Sequence, residues 1–151
     1  MTLARRFLVL FALIFWQGGF MSYGAVTVPV LRDVFGGQGS LVTQRVTQWI
    51  NLIGTLAILV MFLDVYVSPL STKRWRWIAW LMMGLVHPVI VFMQHEMSRQ
   101  MTEGMSQSFM SQWHRPYLIL SSLQWVGGML FAWQSLRAWQ REDQGAKPAA
   151  V

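Results

Sequence analysis

Long apolar runs separated by short polar segments dominate the pattern of this chain. The runs that carry no aspartate, glutamate, lysine or arginine are residues 7–31, 46–63, 77–95 and 116–136. A helix rises ~1.5 Å per residue, so each run has roughly the length needed to cross the ~30 Å hydrocarbon core of a bilayer. The pattern predicts an all-α fold in which four transmembrane helices occupy about residues 7–31, 41–67, 76–96 and 115–137.

Turn-forming residues set the predicted ends of these helices. Pro29 marks the far end of the first helix, Ser40 is the predicted N-cap of the second, and Ser68-Pro69 ends the second. The polar segments predict a basic loop at 71–76, a methionine-rich and partly helical surface loop at 96–113, and a disordered tail at 141–151.

Glycines mark places where two helices are expected to approach closely. Gly18, Gly19 and Gly24 lie in the first helix together with the small residue Ser22, and Gly127-Gly128 lie in the fourth. Residues without a bulky side chain let neighbouring backbones pack tightly in lipid. We therefore predict helix contacts at both places.

Composition supports a membrane class. The chain is 54% hydrophobic and 12% charged, whereas a soluble domain is typically ~25% charged. A soluble protein of this length cannot bury so much apolar surface, so part of it must face lipid. The absence of cysteine excludes disulfides, thiolate metal sites and cysteine nucleophiles.

The distribution of basic residues predicts the orientation. The net charge is +6, but the bases flank apolar runs, which favours a lipid bilayer over nucleic acid as the partner. Eight fall on one side of the predicted membrane: Arg5, Arg6, Lys73, Arg74, Arg76, Arg137, Arg141 and Lys147. Four fall on the other: Arg32, Arg45, Arg99 and Arg115. The positive-inside rule then places both termini in the cytoplasm.

Polar residues inside the predicted spans converge at similar depth. His87 and His95, eight residues apart, are predicted to share a face with Gln94. The remaining members are Gln17 in the first helix, Gln48 and Asn51 in the second, and His114, Tyr117, Ser121 and Gln124 in the fourth. Gln44 and Thr55 share one face of the second helix with Gln48 and Asn51, and this face is expected to meet protein or water. We predict a polar pocket that opens to the extracytoplasmic side.

Two interpretations remain open for His87, which precedes Pro88 near the middle of its run. It either fixes the packing of the helices through hydrogen bonds or belongs to a ligand or ion site. Asp64, near the cytoplasmic end of the second helix, is expected to pair with an arginine or lysine. The alternative is a residue on an ion pathway.

A metal site is a further hypothesis. Histidine and thioether side chains suit copper, and its predicted ligands are His87, His95, His114, Met97 and Met101. The methionines are equally explained as the apolar face of an interfacial segment. A haem held by two histidines is a second alternative, for which His95 and His114 match in depth.

The sequence offers no constellation typical of catalysis. It has no glycine-rich phosphate loop, no H-E-x-x-H motif, no pair of aspartates within a span and no nucleophile elbow. The chain is therefore predicted not to be an enzyme.

Several short motifs stand out along the chain: Trp16-x-Gly18-Gly19, Val28–Leu31, Arg45–Gly54 (RVTQWINLIG), Phe109-x-x-x-Trp113-His114-Arg115-x-Tyr117, Ser121 and Gln124-Trp125. Together they resemble the transmembrane protein 205-like family, four-helix membrane proteins of unknown function. The first is also similar to the opening of the copper-resistance D membrane domain. The resemblance implies four helices and a bacterial inner-membrane location. Arg115-Pro116 departs from the small residue that typically follows this histidine.

The leading functional prediction is a non-enzymatic membrane bundle that acts as a subunit of a membrane assembly or as a homo-oligomer. Copper or other metal handling at an extracytoplasmic His/Met site is the alternative, and haem binding is the second alternative. The biological process is not encoded in any recognisable motif.

Overall fold

The computed structural model describes residues 3–36, 39–68, 70–102 and 107–145, with side-chain surroundings for 3–36, 42–68, 74–100 and 112–144. The α-helices are α1 (Leu3–Ser22), α2 (Val28–Phe35), α3 (Gly39–Val67), α4 (Leu70–Thr102) and α5 (Gln107–Gly145). A π-helical turn, Tyr23–Thr27, joins α1 to α2. The described residues contain no strand, so the prediction of an all-α fold is confirmed.

Pro29 does not end the first helix, and that prediction was wrong. Proline lacks an N–H group, and in a regular α-helix its ring meets the carbonyl four residues earlier. Here Pro29 lies in the first turn of α2, directly after the wider π-helical turn. The rod continues to Phe35 and ends at Gly36, whose φ of +54° suits glycine.

The connections are shorter than the polar pattern predicted. The basic segment 71–76 belongs to the first turns of α4, and α3 already includes Ser40 in its first turn. Most of segment 96–113 is helical, and α5 extends through residues 141–145 of the predicted tail. Residues 69, 103–106 and 146–151 lie outside the described part of the chain. The helices extend into these polar segments because helical turns outside the apolar core do not need apolar side chains.

The helices pack side by side in a ring that follows chain order. Helix α1 contacts α3, α3 contacts α4, α4 contacts α5, and α5 closes the ring on α1. The start of α1 meets the end of α5, since Arg6 bonds Asp143. Both described chain ends therefore lie at one end of the ring, which we call the charged end. The other end, where α2 packs on α3, is the cavity end.

Three of the helical rods are long and apolar enough to cross a membrane: Leu3–Phe35, Val42–Val67 and Arg74–Gln100. Helix α5 is not among these candidates, although it is long enough. It carries Ser121, Gln124 and Ser135, all buried against the other helices. These polar residues lower the average hydropathy of α5, although they face the other helices and are not exposed.

Glycines in α3 and α5 stand at close helix contacts. A Cβ on Gly54 would lie 2.6 Å from Trp16 Nε1 and 2.9 Å from His87 Cε1. A Cβ on Gly127 would lie 3.0 Å from Met83 Cγ, and one on Gly128 would overlap the side chain of Gln17. The predicted contact at Gly127-Gly128 is confirmed.

The glycines of the first rod behave differently. Nothing lies within 4 Å of a Cβ built on Gly18, Gly19 or Gly24. The predicted close approach at these glycines is therefore wrong within a single chain. Gly18 and Gly24 are exposed, and Gly19 is partly exposed.

Candidate functional site

A cluster of polar side chains surrounds His87, in the part of the ring nearer the cavity end. His87 on α4 is 5% exposed. Its Nδ1 lies 2.9 Å from Nε2 of Gln124 on α5. Its Nε2 lies 2.9 Å from Oγ1 of Thr55 and 3.2 Å from the carbonyl oxygen of Asn51, both on α3. One imidazole therefore ties three helices together.

These partners assign one tautomer to the His87 ring. Gln124 Nε2 is an amide donor, so Nδ1 of His87 accepts from it. The proton then sits on Nε2, which faces the Thr55 hydroxyl and the Asn51 carbonyl. The Thr55 hydroxyl donates a hydrogen bond of 3.0 Å to the Asn51 carbonyl oxygen. Every polar atom of the neutral imidazole is satisfied.

The polar cluster continues towards the cavity end. Asn51 donates to Oε1 of Gln94 at 3.4 Å, and Gln94 donates to Oγ of Ser98 at 3.3 Å. A cavity of about 20 Å³ beside it is lined by Gln17, Ser121 and Gln124 among others. The predicted convergence of Gln17, Asn51, Ser121 and Gln124 is confirmed, whereas the side of a membrane to which they open stays a prediction.

A larger cavity of about 420 Å³ lies at the cavity end, between the π-helical turn and helices α3, α4 and α5. Most of its lining surface is apolar. Met97 of α4 and His114 and Tyr117 of α5 are among the lining residues. The hydroxyl of Tyr23, which also lines it, lies 2.9 Å from Oγ1 of Thr47. The cavity falls within the ~300–1,000 Å³ typical of small-molecule sites.

The predicted metal ligands are only partly brought together. Met97 and His114 line the same cavity, whereas His87 lies in the polar cluster. The side chain of Met101 lies outside the described residues. No three histidine, aspartate or glutamate side chains form a metal-binding group within the described part of the chain. Copper binding stays a prediction.

His95 does not share a face with His87. Eight residues of α-helix turn ~800°, which leaves the two side chains about 80° apart. Gln94, seven residues from His87, is offset by only about 20° and is buried with it. His95 points outward and is exposed. The predicted shared face was wrong for His95 and right for Gln94.

A second polar cluster lies at the charged end and is centred on Asp64. The Asp64 side chain is fully buried on α3 and pairs with Arg76 of α4. Arg5 of α1 approaches with its Nε 3.0 Å from Asp64 Oδ1. Arg76 also donates to Oγ of Ser135 at 3.1 Å and to Oγ of Ser68 at 2.8 Å. The expectation that a basic residue pairs with Asp64 is confirmed.

Sequence reasoning missed Arg76 as a core residue because it placed that residue in a solvated loop. Arg76 is 1% exposed and is the largest fully buried side chain among the described residues. A signal was present in the sequence. A carboxylate near the end of an apolar run requires a partner, and Arg76 follows Asp64 across the short connection at Ser68.

A third set of charges joins the two chain ends. Arg6 donates two hydrogen bonds of 2.8 Å to the carboxylate of Asp143. Its Nη2 also lies 3.6 Å from Oε2 of Glu142. The hydrogen bonds from Arg6 hold the pKa of Asp143 below its ordinary value.

An apolar layer separates the two polar clusters. Met61 lies between Thr55 and Asp64 on α3, Met83 lies between Arg76 and His87 on α4, and Phe131 lies between Gln124 and Ser135 on α5. All three layer residues are at most 1% exposed. The polar clusters are therefore not continuous through the ring.

Comparison with known proteins identifies no relative. No protein-family model, curated protein or solved structure matches the chain. The resemblance to the transmembrane protein 205-like family stays a prediction that rests on the quoted motifs.

Proposed function

We propose that the chain is a bacterial inner-membrane protein whose four helical rods all cross the bilayer. Both termini lie on the cytoplasmic side, and the protein acts without enzymatic turnover as a subunit or homo-oligomer. Its role is to present a stable helical surface to other chains within the membrane.

The surface of the ring supports immersion in lipid. Leu85 and Ile14, on different helices, are 72% and 71% exposed, whereas Arg76, Asp64 and His87 are buried. Water would favour the reverse distribution, because large exposed apolar surfaces are rare on soluble monomers. Helix α5 exposes Ile119, Leu123 and Leu130, which gives this rod a lipid-compatible surface as well.

The orientation is supported by the basic residues. Within the described residues, the charged end carries seven lysines and arginines and the cavity end carries four. The positive-inside rule assigns the charged end to the cytoplasm. Contact between Arg6 and Asp143 keeps both described chain ends on that side.

The open side of the first rod is the observation that carries the proposed subunit role. Gly18 and Gly19 meet no atom of another helix within 4 Å of a built Cβ. Beside them, the exposed rings of Phe7, Phe11 and Phe15 stack at 6.0 and 5.7 Å. Small residues beside flat apolar side chains suit close packing of a second helix in lipid.

The interior groups support a role without turnover. His87 is committed to Gln124, Thr55 and Asn51, and Asp64 is committed to Arg5 and Arg76. Groups that are hydrogen-bonded to one another fix helix register. The interior polar contacts therefore stabilise the packing of the helices.

Single cysteines test the topology, because the natural chain has none. Gln112→Cys and Gln144→Cys place exposed thiols at the cavity end and the charged end. A membrane-impermeant maleimide applied to intact spheroplasts should label Gln112→Cys, and should label Gln144→Cys only after the membrane is opened. Labelling of both from the same side would overturn the topology.

A cysteine on the first rod tests the subunit role. With a thiol-reactive cross-linker in native membranes, Gly18→Cys should give one discrete product, either two copies or one copy with one partner. Ile119→Cys, on the exposed face of α5, is the matched control and should give little product. Equal or absent cross-linking in both variants would contradict the role.

Metal handling is the second candidate function, favoured by the meeting of His114 and Met97 at one cavity. Both atom types suit copper in its reduced state. A His114→Ala/Met97→Ala variant purified from copper-fed cells should retain less copper than a His95→Ala control. Equal metal in the two samples would end this hypothesis. The haem alternative stays a prediction, and an absorption spectrum without a Soret band in protein from haem-replete cells would end it.

A further inference from the structure

A third cavity, of about 360 Å³, opens between α4 and α5 at the charged end. Four arginines and two tryptophans contribute to its lining: Arg74, Arg76, Arg137, Arg141, Trp75 and Trp133. No carboxylate is among the described residues that line it. The cavity is therefore a concentrated site of positive charge.

Most of this charge is not balanced by acids of the same chain. Arg76 is neutralised by Asp64, which it shares with Arg5. The other acids of the charged end, Glu142 and Asp143, lie against Arg6. Within the described residues, Arg74, Arg137 and Arg141 form no ion pair with a carboxylate. Three guanidinium groups are thus available to an anion.

The tryptophans hold two of these guanidinium groups beside apolar surface. Arg137 lies 4.8 Å from the centre of the Trp133 ring, and Arg74 lies 6.0 Å from that of Trp75. A guanidinium within about 6 Å of a ring centre is attracted to the ring face, and its N–H groups are still free to donate to an anion. Tryptophan also favours the interface between lipid headgroups and hydrocarbon.

An apolar track leads away from the cavity along both helices. On α4, Trp75, Ile78 and Met82 recur at spacings of three and four, and all are exposed. On α5, exposed Leu130 precedes Trp133 by one turn. Residues three and four apart lie on one helix face. The basic cavity thus continues into surface suited to acyl chains, which distinguishes it from a site for a free anion.

We propose that this cavity binds the phosphate headgroup of an anionic phospholipid, with the acyl chains lying along the exposed faces of α4 and α5. Arginine forks match phosphate oxygens and form short charge-assisted hydrogen bonds. Basic pockets between helices on the cytoplasmic side are suited to such headgroups. The proposal rests on the proposed function, because it requires the charged end to lie at a membrane surface.

The test compares lipid retention by matched variants of the full-length chain. Arg137→Gln/Arg141→Gln removes two charges from the cavity, and Arg32→Gln/Arg115→Gln removes two exposed charges from the cavity end. Each protein is purified in detergent, and binding of phosphatidylglycerol, phosphatidylcholine and inorganic phosphate is measured separately by native mass spectrometry.

The natural chain and the Arg32→Gln/Arg115→Gln control should prefer phosphatidylglycerol over phosphatidylcholine by about tenfold or more. Attraction of two to three arginines to an anionic headgroup is sufficient for a preference of this size. Arg137→Gln/Arg141→Gln should lose most of this preference at an unchanged thermal midpoint. Arg137→Lys/Arg141→Lys keeps the charge and should retain much of it. These results would support the proposal.

Equal preference in the cavity variant and the control would overturn it. Saturable binding of inorganic phosphate that displaces phosphatidylglycerol would also overturn it, by identifying a free anion as the ligand. The cysteine labelling described above is measured on the same variants. If the topology holds while lipid preference is absent, this inference alone fails, and a wrong topology overturns the proposed function itself.

Discussion

Asp64 on α3 and Arg76 on α4 form an ion pair in which neither side chain is more than 1% exposed. Arg5 contacts Asp64, and the hydroxyls of Ser68 and Ser135 accept from Arg76, so side chains of four helices meet at this ion pair. A buried pair of this kind adds little net stability over an apolar contact, but removing one partner leaves a charge uncompensated. The cluster therefore fixes which helices meet at the charged end.

Asp64→Asn should strongly destabilise the protein. The substitution keeps the side-chain shape but leaves Arg76 and Arg5 without their shared counter-charge, at a cost of ~3–5 kcal/mol. Thermal unfolding of the detergent-solubilised chain measures the loss. Asp143→Asn is the matched control and should change the midpoint little, because Asp143 is exposed. Similar midpoints for the two variants would contradict a buried cluster.

Arg76→Lys should also destabilise, although the charge is kept. Arg76 uses different nitrogens for Asp64, Ser68 and Ser135, and a single ammonium cannot reach all three. Hydrogen bonds to charged groups contribute ~1.5–3 kcal/mol each, so we expect a loss of about 2 kcal/mol. Arg115→Lys, at an exposed position, should leave the same thermal midpoint unchanged. An unaltered midpoint in Arg76→Lys would show that charge alone matters.

His87→Ala should cost ~1–3 kcal/mol, because Gln124 and Thr55 lose a buried hydrogen-bond partner. His95→Ala removes the same side chain from an exposed position and should have almost no effect. Thermal unfolding of both variants provides the comparison. Equal effects would mean that the hydrogen bonds of His87 do not hold α3, α4 and α5 together.

Gly54→Ala should destabilise by ~1–3 kcal/mol through overpacking. The added methyl would lie 2.6 Å from Trp16 Nε1 and 2.9 Å from His87 Cε1, and both rings are buried. Gly18→Ala meets no atom within 4 Å and should stabilise the detergent-solubilised monomer by ~0.5–1 kcal/mol, since alanine favours helix. The opposite order of midpoints would show that α1 and α3 do not approach closely at Gly54.

The contact between the two chain ends should weaken in acid. Hydrogen bonds from Arg6 lower the pKa of Asp143 in the folded state. The pair's contribution is therefore complete above the unfolded-state pKa of ~3.9 and is lost as the pH falls through the lower folded-state value. Spin labels on Leu3→Cys and Gln144→Cys should report longer, broader distances in this acidic range. In an Asp143→Asn background the distances should already be broad at neutral pH, and an unchanged distribution there would contradict the pairing.

How much of this arrangement the sequence predicts depends on the range of the interactions involved. Apolar runs, helical spacing and the near absence of charge within them depend on residues a few positions apart. These local patterns were sufficient to predict the all-α fold and the inward polar faces that contain Gln94, Ser121 and Gln124. They also predicted that Asp64 pairs with a basic residue. The prediction that Pro29 ends the first helix failed because a π-helical turn relieves the steric conflict of the proline ring with the preceding turn.

The tertiary structure decided what depends on how whole helices are rotated and paired. The 3.6-residue period separates His95 from His87 by about 80°, and only packing shows which of the two faces inward. Arg76 belongs to a basic segment by sequence, yet the meeting of α1, α3, α4 and α5 buries it on Asp64. Gly54 and Gly18 are alike in sequence terms, and only the neighbouring helix distinguishes a tight contact from an open face. Local sequence determines where helices form, whereas the partner of each side chain is determined by residues distant in the chain.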